Sequence, residues 1–228
     1  MSIDAATVRA NAERVRNRIA DAGGDPSAIT LVAVTKGHPA AVAIAAVEAG
    51  LHELGENYAQ ELDGKAPAVR EACAAPVHWH FIGRLQRNKV RQVAHLVSLW
   101  QSVDRLRVGE ELARRAPGAS VLVQVNLTDD AARGGAKPGL VAGLVEGLRD
   151  LGLDVRGLMA VAPIGPPDAA SAGFRTVVSL ADRLGLPERS IGMSGDLEVA
   201  VREGSTMVRI GSALFGPRPR LAGPTVEN

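Results

Sequence analysis

The feature of this sequence that most constrains its fold is a regular alternation of short apolar runs with helix-like segments. Eight such runs follow one another from about residue 30, and several are rich in Val, Ile and Leu. Runs of this kind are typical of strands buried on both faces, which occur in parallel sheets covered by helices. The predicted strands are Leu31–Val34, Leu51–Leu54, His78–Ile82, Val97–Val103, Val121–Asn126, Val155–Val161, Ser190–Met193 and Thr206–Ile210.

Eight strand and helix units in one chain predict a single-domain (β/α)8 TIM barrel, a fold that typically takes about 250 residues. An open, doubly wound sheet is the alternative, because alternation by itself does not close a barrel. An extra N-terminal helix is predicted over residues 4–20, where four apolar residues recur at helical spacing: Val8, Ala12, Val15 and Ile19. We expect residues 1–228 to form one domain, with a flexible tail from about residue 217.

Charge and cysteine content narrow the class of protein. A formal net charge of +1 gives no general reason to expect nucleic acid or an anionic membrane as a partner. Cys73 is the one cysteine and cannot form an internal disulfide, which fits a reducing compartment. The N-terminal segment has no signal-peptide core, and no stretch approaches the roughly 18 apolar residues of a membrane span. We therefore expect a cytoplasmic protein with no membrane or nucleic-acid partner.

Lys36 follows the first apolar run and has the most unusual setting of any lysine in the chain. An ammonium group beside a buried strand costs free energy to desolvate, so such a lysine is paired, reaches water or is chemically modified. The other three lysines lie in segments where we expect solvent exposure: Lys65, Lys89 and Lys137. Lys36 is therefore the first candidate for a functional role.

Polar residues follow most of the other predicted strands, where a barrel of this type gathers its functional side chains. The residues at these strand ends are Lys36, Asn57, His80 to Gly83, Asn126, Met159, Ser194 and Arg209 to Ser212. They contain no carboxylate pair suited to acid and base catalysis. His78 and His80 share a strand face, but no third ligand accompanies them, so we predict no metal site.

Two glycine- and serine-containing turns follow the predicted strands seven and eight. Gly192-Met-Ser194-Gly195 leads into a helix, and Gly211-Ser212 opens a second short turn. Free N–H groups at helix N-termini favour an anion, and barrels commonly bind phosphate after strands seven and eight. The alternative is that Ser194 merely caps a helix. A phosphate site together with a strand-end lysine suggests pyridoxal 5'-phosphate (PLP), held by a Schiff base to Lys36.

Several segments carry a resemblance to a known family. They are Val32 to Lys36, Gly55 to Asn57, His78 to Gly83, Gln101 to Asp104, Val123 to Asn126, Gly157 to Met159, Gly192 to Ser194, and Val208 to Gly211. In this order the sequence resembles the pyridoxal phosphate homeostasis protein family, the single-domain relatives of the alanine racemase barrel. The resemblance implies an alanine-racemase-like barrel that binds PLP.

The resemblance also implies roles for individual residues. Lys36 is the expected Schiff-base lysine, and Arg209 is expected near the pyridine nitrogen. Ser194, Gly211 and Ser212 are expected to bind the phosphate, together with Gly195 in the same turn. Asn57, His80 and Met159 are expected to line the ring pocket. Two departures from the family pattern affect the rim of this site: Arg84 and Arg133.

Three functions remain open from the sequence. The first is a PLP-binding protein of vitamin B6 homeostasis without robust catalysis, because a guanidinium at Arg209 cannot accept a proton from the ring nitrogen. The second is a PLP-dependent amino-acid racemase or related enzyme, with Lys36 and a residue such as His80 as bases. The third is a phosphate-binding barrel without PLP. For the first function we expect a monomer that exchanges PLP with PLP-dependent apoenzymes.

Overall fold

A computed structural model describes residues 3–128, 130, 133–163 and 167–217. Within them, eight parallel strands form a closed barrel in sequence order, and the last strand pairs with the first. This confirms the predicted (β/α)8 barrel over the open sheet. The strands are β1 Thr30–Val34, β2 Glu53–Glu56, β3 His78–Phe81, β4 Val97–Val103, β5 Ser120–Val125, β6 Asp154–Ala160, β7 Glu188–Ser190 and β8 Met207–Ile210.

Helices connect consecutive strands and cover the outside of the barrel. They are α1 Ala5–Asp21, α2 Ala40–Glu48, α3 Ala59–Ala72, α4 Arg87–Val93, α5 Leu106–Arg115, α6 Val141–Asp150, α7 Pro167–Arg183, α8 Leu197–Arg202 and α9 Ser212–Phe215. The extra helix α1 is confirmed, and its N-cap Asp4 accepts a hydrogen bond from the Thr7 N–H at 2.7 Å. It packs against α2, α8 and α9, so it closes the helical layer where the first and last units meet.

The apolar core has two parts. The larger part lies between the strands and the helices, and the buried face of α1 belongs to it. The smaller part fills the barrel interior and consists of five residues that face one another across the strands: Val32, Leu99, Leu122, Met159 and Met207. A packed interior of this kind restricts open space to the ends of the barrel.

Two strands are shifted from their predicted positions: β2 begins later in the chain than the apolar pattern predicts, and β7 begins earlier. β2 begins at Glu53 rather than Leu51 and includes the fully buried Glu56. β7 is Glu188–Ser190 rather than Ser190–Met193. Both strands begin with a glutamate, Glu53 in β2 and Glu188 in β7. A pattern based on apolar residues cannot identify a charged residue as part of a strand, because the groups that pair with its charge lie elsewhere in the chain. Asp104, a plausible cap for α5 from its residue type, does not cap that helix, since Arg105 occupies the N-cap position.

None of the described helices has the length and apolar composition needed to cross a membrane. The predicted tail lies almost wholly beyond Pro217 and therefore outside the described residues.

Candidate functional site

A cavity of ≈ 320 Å³ opens at the C-terminal ends of the strands. This is the end at which (β/α)8 barrels bind their ligands, and the volume lies at the lower limit of the range of about 300–1,000 Å³ for small-molecule sites. The cavity is lined by Val34, Lys36, His38, Asn57, Ile82, Met159, Val161, Met193, Ser194, Gly195, Arg209, Gly211, Ser212 and Gly216.

Eight of the nine predicted site residues line this cavity, and His80 does not. The His80 ring points into the barrel interior, where its Nε2 and Nδ1 atoms contact Glu53 and Gln101. It lines a separate cavity of ≈ 280 Å³ together with Glu53 and His78, residues at the N-terminal ends of β2 and β3. His80 and Ile82 lie two residues apart on the same inward face of β3, so Ile82 reaches the mouth of the barrel and His80 lies one layer deeper in its interior.

Lys36 lies two residues after the end of β1, in the loop that leads to α2. Its Nζ atom is 3.3 Å from Oδ1 of Asn57, the residue that follows β2. Gly83 at the end of β3 permits this arrangement. A Cβ atom at Gly83 would lie 2.0 Å from the Asn57 carbonyl oxygen, so no larger residue fits without moving Asn57.

The residues on both sides of Lys36 are fixed by a buried charge cluster. Lys65 on α3 donates to Glu56 at 2.7 Å, to Glu61 at 2.9 Å and to the Thr35 carbonyl oxygen at 2.9 Å. The Thr35 hydroxyl donates to Glu56 at 2.6 Å, and the Gly37 N–H donates to Glu61 at 2.7 Å. The expected solvent exposure of Lys65 was wrong, because these acceptors make its burial tolerable.

The two carboxylates of this cluster differ in their pKa values. Burial raises the pKa of Glu56 above its ordinary value, and the nearby Lys65 ammonium only partly offsets this effect. Burial also raises the pKa of Glu61, but hydrogen bonds from the Gly37 N–H and from Lys65 outweigh it and leave the pKa lowered. The two carboxylates that hold Lys65 therefore respond in opposite ways to the fold, and Glu61 is the less buried of the two.

The turns after β7 and β8 meet on the wall of the same cavity. The carboxylate of Asp196, the N-cap of α8, accepts from the Met193 N–H at 2.5 Å and so fixes the loop that carries Ser194 and Gly195. Ser194 does not cap α8; its Oγ accepts from the Ala213 N–H of α9 at 3.3 Å, which ties the two turns together. Gly211 at the N-cap of α9 has no side chain to occupy the first N–H groups.

Arg209 lies on β8, which pairs directly with β1 in the register Val32 to Arg209. Its side chain is buried, and it donates to the Ser190 carbonyl oxygen and Oγ at 2.6 Å each and to the Ala160 carbonyl oxygen at 2.8 Å. Burial lowers the pKa of Arg209 to about 10, and the Asp196 carboxylate partly opposes this shift. The guanidinium therefore remains protonated at neutral pH.

The two departures from the family pattern lie away from the cavity wall. The Arg84 side chain is exposed. Arg133 donates to the Ala162 carbonyl oxygen at 2.8 Å and lines a neighbouring cavity with Asn126. Among lining residues that the sequence did not single out, Val34 continues the inward-facing alternation of β1 from Val32, and that alternation could have identified it.

Comparison with known proteins defines the class to which this fold and site belong. Residues 3–219 match the family described as alanine racemase, N-terminal domain. The pyridoxal phosphate homeostasis protein of Pseudomonas aeruginosa is 41% identical over 226 residues, covering 96% of this chain and 97% of that protein. The protein of the same name from Escherichia coli K12 is 37% identical, covering 91% of this chain and 95% of that protein.

A solved structure supports the same assignment. PipY of Synechococcus elongatus with PLP bound is 32% identical and has a TM-score of 0.76, with 89% of this chain and 100% of that chain covered. The barrel is thus of the alanine racemase N-terminal type. The chain belongs to the pyridoxal phosphate homeostasis protein family.

Proposed function

We propose that this protein binds PLP reversibly, as a Schiff base to Lys36, and takes part in intracellular PLP homeostasis without robust catalysis of its own. The observation that carries this proposal is that Lys36, Arg209 and both phosphate-type turns line a single cavity of ≈ 320 Å³. The relatives named for PLP homeostasis and the PLP-bound structure of PipY support it.

The chemistry of the described cavity residues fits PLP. Lys36 and Arg209 are the charged side chains of the lining, and no Asp or Glu accompanies them there, so the cavity favours an anion. Ser194 and Ser212 add hydroxyl groups, and the Ser194 hydroxyl already contacts the Ala213 N–H at the start of α9. Val34, Ile82 and Met159 supply apolar surface of the kind that suits an aromatic ring.

Each group has a specific task in this proposal. PLP supplies an aldehyde, and an amine condenses with it reversibly with loss of one water. The Asn57 amide oxygen, 3.3 Å from Lys36 Nζ, orients the amine toward the cavity. The charge cluster around Lys65 fixes the backbone before and after Lys36, so the amine is presented from a rigid loop.

Arg209 favours retention of the cofactor over turnover. We place its guanidinium near the ring nitrogen, and a guanidinium that stays protonated can donate to that nitrogen but cannot accept a proton from it. An unprotonated ring withdraws electrons more weakly, so bond cleavage at a bound amino acid is disfavoured. This supports a storage and delivery role.

The setting in which the protein works is part of the same proposal. We place it in the cytoplasm as a monomer that exchanges PLP with PLP-dependent apoenzymes. Cys73 carries a free thiol, which suits a reducing compartment. Light scattering of the purified protein tests the monomer, and PLP transfer to a PLP-dependent apoenzyme tests the exchange.

Borohydride reduction followed by peptide mapping tests the covalent attachment. We expect a pyridoxyl group on the peptide that contains Lys36, and no such adduct in Lys36→Ala. Lys137→Ala is the matched control, because that lysine is exposed and should leave labelling unchanged. An adduct absent from Lys36 in the wild-type protein would overturn the proposal. Exchange of the α-proton of L-amino acids at enzymatic rates would instead identify a racemase-type enzyme.

A further inference from the structure

A continuous line of polar side chains crosses the interior of the barrel beside its apolar filling. Barrels of this type normally fill the interior with branched apolar side chains, and burying polar groups costs free energy unless each is hydrogen-bonded. Four of the five polar residues are at most 4% exposed: His80, Gln101, Ser190 and Arg209. We call this set, together with Glu53, the interior relay.

The interior relay is connected at every step by a short hydrogen bond. Arg209 Nη1 donates to Ser190 Oγ at 2.6 Å, and Ser190 Oγ donates to Gln101 Oε1 at 2.7 Å. Gln101 Nε2 lies 2.6 Å from His80 Nδ1, and His80 Nε2 lies 2.6 Å from Glu53 Oε2. The relay therefore joins the cavity at one end of the barrel to the opposite end.

The chemistry of both end residues requires that every hydrogen bond of the relay be donated in the direction from Arg209 to Glu53. A guanidinium has only donors, so Ser190 Oγ accepts from Arg209 and turns its own proton to the Gln101 oxygen. The Gln101 amide nitrogen then faces His80, whose Nδ1 must accept, which leaves the ring proton on Nε2. That proton is donated to Glu53, which as a carboxylate has only acceptors.

Arg209 depends on this arrangement because none of the described carboxylates forms an ion pair with it, and Asp196 acts on it only from a distance. Among the described residues, the structure gives Arg209 no ion pair within 4.0 Å, and its acceptors are two backbone carbonyl groups and the Ser190 hydroxyl. The orientation of that one hydroxyl therefore decides whether a lone pair faces the guanidinium.

Glu53 occupies the end of the relay that is open to solvent. Its side chain is 30% exposed and also accepts from His78 Nδ1 at 2.7 Å. Burial raises the pKa of Glu53, but the hydrogen bonds from His80 and His78 outweigh this and leave the pKa below its ordinary value. Glu53 is thus a fixed anionic acceptor at neutral pH.

We propose that the interior relay positions the Arg209 guanidinium against the cofactor ring, and that Glu53 sets its direction from the opposite face of the barrel. Without an acceptor at Glu53, the His80 proton moves to Nδ1 and the Gln101 amide turns over. Ser190 Oγ then has to accept from both Arg209 and Gln101 and loses the acceptor for its own proton, so its contact with Arg209 weakens. This is a discrete two-state change of the kind that can couple distant sites. The proposal rests on the proposed PLP site.

The test compares PLP with its carbocyclic analogue, in which C–H replaces the ring nitrogen. Glu53→Leu should weaken PLP binding by about tenfold, the equivalent of one hydrogen bond, and leave binding of the analogue unchanged. Glu53→Gln keeps an acceptor for His80 and should restore the affinity for PLP. Glu188→Gln changes a carboxylate of the same solvent-facing cavity that makes no hydrogen bond to the relay, and should leave the ratio of the two affinities unchanged.

Ser190→Ala provides a second variant in case Glu53→Leu fails to fold, and the same selective loss is expected. Nitrogen-15 NMR of the His80 ring gives an independent measurement without any ligand: a proton on Nε2 in the wild type and on Nδ1 in Glu53→Leu. Equal losses for PLP and the analogue, or an unchanged His80 tautomer, would overturn the relay. Failure of the wild type to bind PLP, with the tautomer switch intact, would overturn the proposed function instead.

Discussion

The buried ammonium of Lys65 lies 2.9 Å from the Thr35 carbonyl oxygen, so one lysine holds the backbone directly before another, Lys36. The same ammonium pairs with Glu56 and Glu61, and Glu61 accepts from the N–H of Gly37, directly after Lys36. The loop that presents Lys36 is therefore held on both sides by a cluster that does not itself line the cavity.

Replacing Lys65 by Met should destabilise the protein by about 3–5 kcal/mol, because Glu56 would be left buried without its charged partner. Urea unfolding at neutral pH, followed by circular dichroism, measures this loss. Lys137→Met is the matched control, since that lysine is exposed and should change stability by no more than about 0.5 kcal/mol. A loss below about 1 kcal/mol for Lys65→Met would mean that the cluster contributes little.

The lowered pKa of Glu61 predicts a specific dependence of stability on pH. A carboxyl group whose pKa is lower in the folded state stabilises the fold above its ordinary pKa, here 4.5, and loses that effect as pH falls through the folded value. Glu61→Gln lacks this contribution. The difference in unfolding free energy between wild type and Glu61→Gln should therefore be constant near neutral pH and shrink below about pH 4.5. A difference that grows on acidification would contradict the assignment.

Gly83 does not line the cavity, but Gly83→Ala should change the cavity by displacing the lining residue Asn57. The added Cβ atom would meet the Asn57 carbonyl oxygen at 2.0 Å, so Asn57 must move away from its position near Lys36. We expect a loss of at least about 1–3 kcal/mol in stability and weaker PLP binding, measured by urea unfolding and by absorbance titration.

Gly64→Ala is the matched control for that substitution. Gly64 lies within α3, and a Cβ atom added there would have no neighbouring atom within 4 Å, so alanine should instead stabilise the helix by about 0.5–1 kcal/mol. Similar behaviour of the two alanine variants would show that the close approach of Gly83 to Asn57 does not matter.

Ser212→Ala should weaken binding through the phosphate alone. Ser212 begins α9 next to Gly211 and lines the cavity, so its hydroxyl is placed to donate to an anion. We expect about a tenfold loss of affinity for PLP and no change for pyridoxal, which lacks the phosphate. Competition binding with both compounds measures this. An equal loss for both would place the phosphate elsewhere.

The alternation of apolar runs was enough to predict the succession of βα units, because each unit is a local pattern that repeats, while the structure decided that the sheet closes. β4 was predicted with the bounds that the structure shows, Val97–Val103. β2 and β7 were displaced because their charged residues are satisfied by partners distant in sequence, such as Arg156 for Glu188. Local patterns contain no information on such partners.

The sequence by itself determined the succession of βα units, the strand-end position of Lys36, and the two turns at Ser194 and Gly211, since each depends on residues that are adjacent in the chain. Only the tertiary structure decided that Lys65 is buried behind Lys36 and that His80 belongs to the opposite end of the barrel. Both outcomes follow from closure of the barrel, which fixes the register between strands and thereby selects which polar groups meet inside.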